Sequence, residues 1–248
     1  MNCGEQVREN RRTNGVAYHA DSFLLEEGRL GSMRAKFYSL LGKPQGTLGV
    51  WLGGHREYVG GLWEQIGKLQ FDFIVEAGLK PEQVFLDVAC GALRGGRHFI
   101  AYLDCGNYLG LEKERSLVRV GIRTELGPEM LRAKAPEIVI SDSFEFERFG
   151  KKPQFALAQS LFTHLTADDI RLCMKKLRKF VNPGMRFYAT FQIGEPPGDN
   201  PSRSHAHRGF WYSRETAERF GRDTGWRAKY IGEWRHPRGQ KMMEYIAD

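Results

Sequence analysis

Asp87 is the first side chain in this sequence whose type and place point to chemistry. It interrupts the apolar run Val84, Phe85, Leu86, Val88 near its carboxyl end, and burying a carboxylate there is costly unless it is paired. Gly91, Gly95 and Gly96 follow within nine residues, a loop in which the backbone turns sharply and approaches a ligand without side-chain obstruction. Phe99, Ile100 and Leu103 then mark a helix, and the acidic Glu112 closes the next apolar run. A strand, a glycine loop, a helix and a downstream acid are the arrangement of a nucleotide-cofactor enzyme, whose ligand lies at the carboxyl ends of parallel strands. Further along, Asp142, His164, and the pair His205 and His207 add groups that bind or titrate. Two imidazoles without a nearby acidic or cysteine partner ligate weakly, so no metal is expected.

Spacing separates the nucleotide folds. A phosphate-cradling Walker loop ends in Gly-Lys-Ser or Gly-Lys-Thr, and Gly95-Gly96-Arg97 does not. The dinucleotide fingerprint needs glycines two and five positions after the first, whereas here they stand at 91, 95 and 96. What remains is a cofactor with ribose and adenine but no pyrophosphate.

At this point Leu86-Asp87-Val88-Ala89-Cys90-Gly91-Ala92-Leu93-Arg94-Gly95-Gly96 resembles the loop of the class I S-adenosylmethionine-dependent methyltransferases. It is similar in particular to small bacterial members with Leu-Asp-x-Gly-Cys-Gly-x-Leu-Arg-Gly-Gly, and the resemblance covers about residues 84 to 193. It implies S-adenosyl-L-methionine as cofactor, with Asp87, Ala89 and Gly91 in its cradle. Ala89 departs from the family's glycine by one methyl group, at a point of close backbone approach. The resemblance makes Glu112 the acceptor for both ribose hydroxyls, and the interval of about 20 residues from the loop fits that role. The competing reading puts Glu112 in a charged surface turn with Lys113 and Glu114, where substitution touches the fold's stability little. Asp142 and Ser143 match the position that meets the adenine edge. Arg94 and Arg97 either neutralise the cofactor's carboxylate or are solvated.

The fourth strand ends in Leu161-Phe162-Thr163-His164-Leu165, which also looks like this family. Ser160, on the cofactor, and Phe162, on the substrate, would then line the methyl-transfer site. His164 is the titratable residue near that centre able to take a proton at neutral pH, and its alternative is to shape the turn before the next helix. The Asn-Pro-Pro-Tyr type of motif used on base amines is absent here, which weakens a nucleic-acid acceptor. The segment from Gly194 to Tyr212 carries His205, His207, Arg208, Phe210 and Trp211. Loops of this length usually have a function, and His205, His207 and Trp211 are assigned to substrate.

These groups need a scaffold, and the patterning supplies one. Strand-like runs at 84–88, 108–111, 138–141, 155–160 and 187–193 alternate with helical stretches at 114–125 and 168–180, a doubly wound α/β rhythm. Thr166 caps the second of these helices, which buries Ile170, Cys173, Met174, Leu177 and Phe180. Its Lys175, Lys176, Arg178 and Lys179 form a solvated face. A last helix is capped at Ser213, and the adjacent runs 228–234 and 241–246 suit antiparallel pairing. The expected fold is a Rossmann-like, mostly parallel seven-stranded sheet with an antiparallel C-terminal strand. Ahead of it, Leu62, Ile66, Leu69 and Phe73 predict a helix, the glycines between 42 and 54 an irregular connection, 22–41 a helical spacing, and residues 1 to about 20 a loose tail. The domain expectation is a tail and helical cover over 1–80 and a methyltransferase domain over 81–248.

The chain has 248 residues, 41% hydrophobic and 27% charged, the mix of an ordinary globular protein. No apolar run reaches a membrane span of roughly 18 residues and Met1 to Arg12 is polar. Four cysteines without paired spacing read as free thiols, and a cytoplasmic location is expected. The net charge of +7 is spread along the chain. A small-molecule or glycan-like acceptor methylated on oxygen or nitrogen is the leading reading; RNA methylation and a non-catalytic cofactor-binding scaffold are the alternatives.

Overall fold

The computed structural model describes residues 46–195 and 198–248; the expected tail and the apolar spacing at 22–41 lie outside the described residues. Five short strands, β1 (Phe85–Val88), β2 (Tyr108–Glu112), β3 (Glu137–Ile140), β4 (Phe155–Ala158) and β5 (Arg186–Ile193), pair in parallel. A two-residue strand, β6 (Trp211–Tyr212), pairs in parallel with Gln192 and Ile193 of β5. The last two strands, β7 (Trp226–Gly232) and β8 (Lys241–Ala247), form an antiparallel hairpin, and β8 also runs antiparallel to β5. The order across the sheet is β3-β2-β1-β4-β5-β8-β7. That path has the seven strands expected, and β6 is an addition to it. β1, β2 and β4 are buried along their whole length, which is why they read as continuous apolar runs.

One face of the sheet packs against α7 (Ala167–Phe180) and α8 (Arg214–Arg222) through Ile170, Cys173, Met174, Leu177, Ala217 and Phe220. Thr166 and Ser213 cap these helices, accepting from the backbone N–H of Asp169 and Thr216, as the sequence predicts. The other face packs against α3 (Trp63–Glu76), α4 (Gly96–Tyr102) and α5 (Arg115–Gly121) through Ile74, Phe99, Ile100 and Val118. The strands after β1 are added outward on one side as far as β3 and from β4 on the other, so the order switches between β1 and β4, and the crevice beyond their carboxyl ends is where an open α/β sheet binds ligands.

Four local expectations change. The glycine-rich connection contains two helices, α1 (Gly46–Gly53) and α2 (His55–Tyr58). Val50 packs with Trp63, Ala92 and Leu117, and this packing outweighs the low propensity of the glycines. In α3 the buried face is Trp63, Ile66, Gly67, Gln70 and Ile74, one step round from the stripe expected, because Leu62 is a left-handed N-cap and is exposed. The helix expected over 114–125 stops at Gly121, passes through a π turn (Ile122–Leu126), and restarts as α6 (Gly127–Lys134). Cys90 and Cys173 are free and buried, whereas Cys105 is disulfide-bonded, against the expectation of free thiols. Among the described residues no helix is long and apolar enough to cross a membrane.

Candidate active site

A cavity of about 1060 Å³ opens at the carboxyl ends of β1, β2, β4 and β5, large enough for two small molecules. Its floor on one side is the glycine loop. β1 delivers Asp87 and the chain then turns through Ala89 (φ +64°) and Gly91 (φ +57°). The N–H groups of Ala89 and Cys90 both donate to the carbonyl of Leu111, fixing the loop to β2. Ala89 therefore carries a side chain in the left-handed region that favours glycine, at the family's glycine position. Two helices press on this loop through glycines. A Cβ on Gly67 of α3 would lie 2.6 Å from the Arg94 carbonyl oxygen, and one on Gly121 of α5 would lie 2.5 Å from that of Ala92.

Glu112 is 6% exposed, so it is not the surface-turn residue of the alternative reading. Its Oε2 accepts from Gly91 N–H and its Oε1 from Glu114 N–H, both at 2.9 Å. Burial raises its pKa, and those backbone donors pull the other way. Asp87 is 4% exposed and accepts from Tyr108 Oη–H at 2.9 Å. Burial pushes its pKa up to about 7, opposed by that hydrogen bond and by Arg94, and reinforced by Glu112. Asp142 is exposed and lies on the cavity wall, whereas Ser143 does not reach it. Ser143 N–H donates instead to Ser141 Oγ at 3.2 Å. Arg94 lines the cavity and donates to the carbonyls of Val59 and Gly61, each at 3.1 Å. Arg97 points elsewhere, paired with Glu64.

The opposite wall comes from β4 and β5. Ser160 takes φ +57°, and its N–H donates to Thr190 Oγ1 at 2.7 Å. His164 lines the cavity with Nδ1 2.9 Å from the Arg208 carbonyl oxygen. That carbonyl fixes the proton on Nδ1, leaving the Nε2 lone pair as acceptor. Burial lowers the His164 pKa, so the ring is neutral at pH 7. The 194–212 segment is fastened beside it: His205 N–H donates to the His164 carbonyl at 3.0 Å and Phe210 N–H to that of Thr163 at 2.8 Å. His205 and His207 reach the wall, and the His207 ring meets Tyr58 edge-on, 5.5 Å between centroids.

Two residues assigned to substrate are not brought there. Phe162 is fully buried, packed edge-on against Phe187 and Phe191. It lies one residue out of phase with the wall-forming Leu161 and Thr163. Trp211 lies off the wall, its backbone bracketed by the Asn200 amide at 2.9 and 2.8 Å. Among the described residues no group of three histidines, cysteines or carboxylates is placed to hold a metal ion.

Sequence reading misses several wall residues: Tyr58, Gln159, Gln192, Arg238 and Gln240. Their sequence positions share no motif. Only Gln159 sits beside a residue that the motif reading selects.

No protein-family profile matches the chain. Solved structures share its fold. Magnesium protoporphyrin IX methyltransferase from Synechocystis PCC 6803, with S-adenosylmethionine bound, is 13% identical with a TM-score of 0.56, covering 88% of this chain and 97% of that one. An O-methyltransferase family protein from Burkholderia thailandensis is 12% identical with a TM-score of 0.60, covering 89% and 70%. An amino pentose methyltransferase from Micromonospora echinaspora, also with S-adenosylmethionine bound, is 16% identical with a TM-score of 0.53, covering 77% and 94%. The likeness is one of fold, and that fold is the Rossmann-like α/β fold of S-adenosylmethionine-dependent methyltransferases.

Proposed function

We propose that the chain is a methyltransferase that uses S-adenosyl-L-methionine to methylate an oxygen or nitrogen of a small-molecule acceptor. The observation that carries this reading is the buried Glu112 carboxylate, held at the end of β2 across the glycine loop and facing the cavity at the sheet's switch point. The wall residues fit the group. Each Glu112 oxygen accepts one backbone N–H, and a carboxylate oxygen can accept a second bond, as two ribose hydroxyls require. Asp87 and Asp142 add acceptors on the same side, and Arg94 supplies a cation for a carboxylate. Asp87, Ala89, Gly91, Glu112 and Asp142 are the residues proposed to hold the cofactor, with Ser160 closing the site from β4.

When bound, the cofactor supplies an electrophilic methyl group on a sulfonium. The chain's own contribution is position and exclusion of water. Helices α1 and α2 cover one side of the cavity and residues 204–207 another. His164 Nε2 takes the proton of a hydroxyl acceptor, and the Arg208 carbonyl stabilises the ring by accepting from Nδ1–H. A neutral amine acceptor needs the same residue only to receive its proton after transfer.

A thermal-shift panel tests the reading. A ligand at 100 times its dissociation constant stabilises by about 2.7 kcal/mol, several degrees for a chain of this size. S-adenosylmethionine and S-adenosylhomocysteine are expected to shift the midpoint, and ATP and NADH are not. A shift with NADH alone overturns the proposal.

A further inference from the structure

Arg238 lines the cavity from residues 233–240, the loop that joins β7 to β8. That loop is held in place. Trp234, His236 and Gln240 are buried in it. The Trp234 and His236 rings stack with centroids 5.3 Å apart, and Trp234 Nε1–H donates to the Gln240 carbonyl at 2.9 Å. The Gln240 amide meets Ser160 Oγ at 2.8 and 3.0 Å, which ties the loop to the end of β4. Arg238 N–H donates to His236 Nδ1 at 3.3 Å. Arg238 itself is exposed, and its Nη2–H donates to the Gly60 carbonyl.

Arg94 approaches the same turn from the glycine loop, donating through Nη1 to the carbonyls of Val59 and Gly61. Two guanidiniums thus meet at three consecutive residues, and each is satisfied there by neutral carbonyls. Among the described residues neither is in ion-pair contact with a carboxylate, although Glu57 lines the same cavity. The charges feel each other: burial, and then Arg238, bring the Arg94 pKa down to about 10. His236 feels both, and burial with the two arginines lowers its pKa to about 4. Like charges brought together in a partly desolvated site are costly unless an anion answers them. A guanidinium has five N–H donors in a planar fork, and a free edge of that fork matches the two oxygens of a carboxylate.

The cofactor does not answer both cations. Its one carboxylate, proposed to meet Arg94, is balanced by the ammonium of the same amino-acid end, and the sulfonium adds a further positive charge. We infer that the acceptor carries a carboxylate bound by Arg238, and that this arginine selects acidic acceptors over neutral ones. This rests on the methyltransferase reading and narrows its acceptor.

The test uses the full chain saturated with S-adenosylhomocysteine, whose own binding is first measured by titration calorimetry. Saturation-transfer NMR titrations then compare acids with neutral partners: glucuronate with glucose, 3-hydroxybenzoate with 3-hydroxybenzamide, and glycerate with glycerol. Glycerol 3-phosphate is included as a different anion. At least one acid is expected to bind ten-fold or more tightly than its neutral partner. Arg238→Met should abolish that preference and leave binding of the neutral partner as it is in the parent. Arg238→Lys keeps the charge without the planar fork and should keep only part of the preference; it decides if the methionine variant is unfolded by circular dichroism. The inference is overturned, while the cofactor reading stands, if the parent prefers no acid or prefers the phosphate alone. It is equally overturned if the preference survives Arg238→Met in full, or if acid and neutral partner weaken alike, the result of an arginine that serves only to clamp Gly60. Full preference in Arg238→Lys, where that variant decides, has the same meaning. Failure of S-adenosylhomocysteine to bind is a failure of the cofactor reading itself.

Discussion

The two walls of the cavity handle polarity in opposite ways. At the ends of β1 and β2, Asp87 and Glu112 are buried acids whose oxygens already accept from Tyr108, Gly91 and Glu114. At the ends of β4 and β5, Gln159 is a neutral amide tied to Ser160, Gln240 and His236, next to an imidazole with an open nitrogen. The first wall is part of the fold's own hydrogen-bonding and would serve a ligand as a side function of groups that hold two loops together. On the second wall the exception is His164, which is tied at Nδ1 only. Substitutions should therefore separate: at Asp87 and Glu112 they change binding and stability together, and at His164 they change rate with the fold intact.

His164→Gln breaks the second wall with the largest expected effect. It should lower kcat for a hydroxyl acceptor by about 10² to 10⁴-fold while leaving S-adenosylhomocysteine affinity and the urea midpoint near the parent values. The acidic limb of the parent's rate profile should lie below the ordinary histidine range, because burial lowers this pKa. An unchanged kcat removes His164 from proton transfer.

Glu112→Gln tests the first wall. One oxygen becomes an NH₂ group facing either Gly91 N–H or Glu114 N–H, donor against donor. Calorimetry should show S-adenosylhomocysteine affinity reduced by about ten-fold or more, and urea unfolding a loss of roughly 1–3 kcal/mol. Loss of stability with affinity kept within two-fold would make Glu112 a brace between loops and not a ribose ligand.

The last effect expected is on pH dependence. Asp87 has a folded pKa of about 7 against an ordinary value of 3.8, so between these limits the folded state holds a proton that the unfolded chain has lost. Stability from this residue is thus fully present below about pH 4 and declines as pH rises to about 7. Glu112 shifts in the same direction. Asp87→Asn should flatten that decline in urea titrations across this range; an unaltered slope would assign it to other groups.

The first wall was also the legible one. Asp87, Gly91 and Glu112 lie within one strand-loop-helix-strand segment, and the chemistry of the loop follows from local spacing. The succession of strands and helices along the chain and the caps at Thr166 and Ser213 follow from equally local patterns. The second wall gathers residues from 159 to 240, and which side of a strand end or loop each presents depends on packing that no short window contains. Aromatic residues near a strand end read as ligand contacts, yet Phe162 belongs to the core and Trp211 is held by Asn200. The helices at 46–58 were hidden by glycines whose helical cost is met by contacts with Ala92 and Leu117.

Gly67 and Gly121 bring α3 and α5 against the carbonyls of Arg94 and Ala92, so the glycine loop has backbone in contact with helices on two sides. Flexibility is therefore not what its glycines confer here. A ligand arriving at such a loop orders little chain, and its association should carry a small conformational-entropy penalty, with a heat-capacity change set by the apolar surface of the ligand and wall and not by folding of the loop.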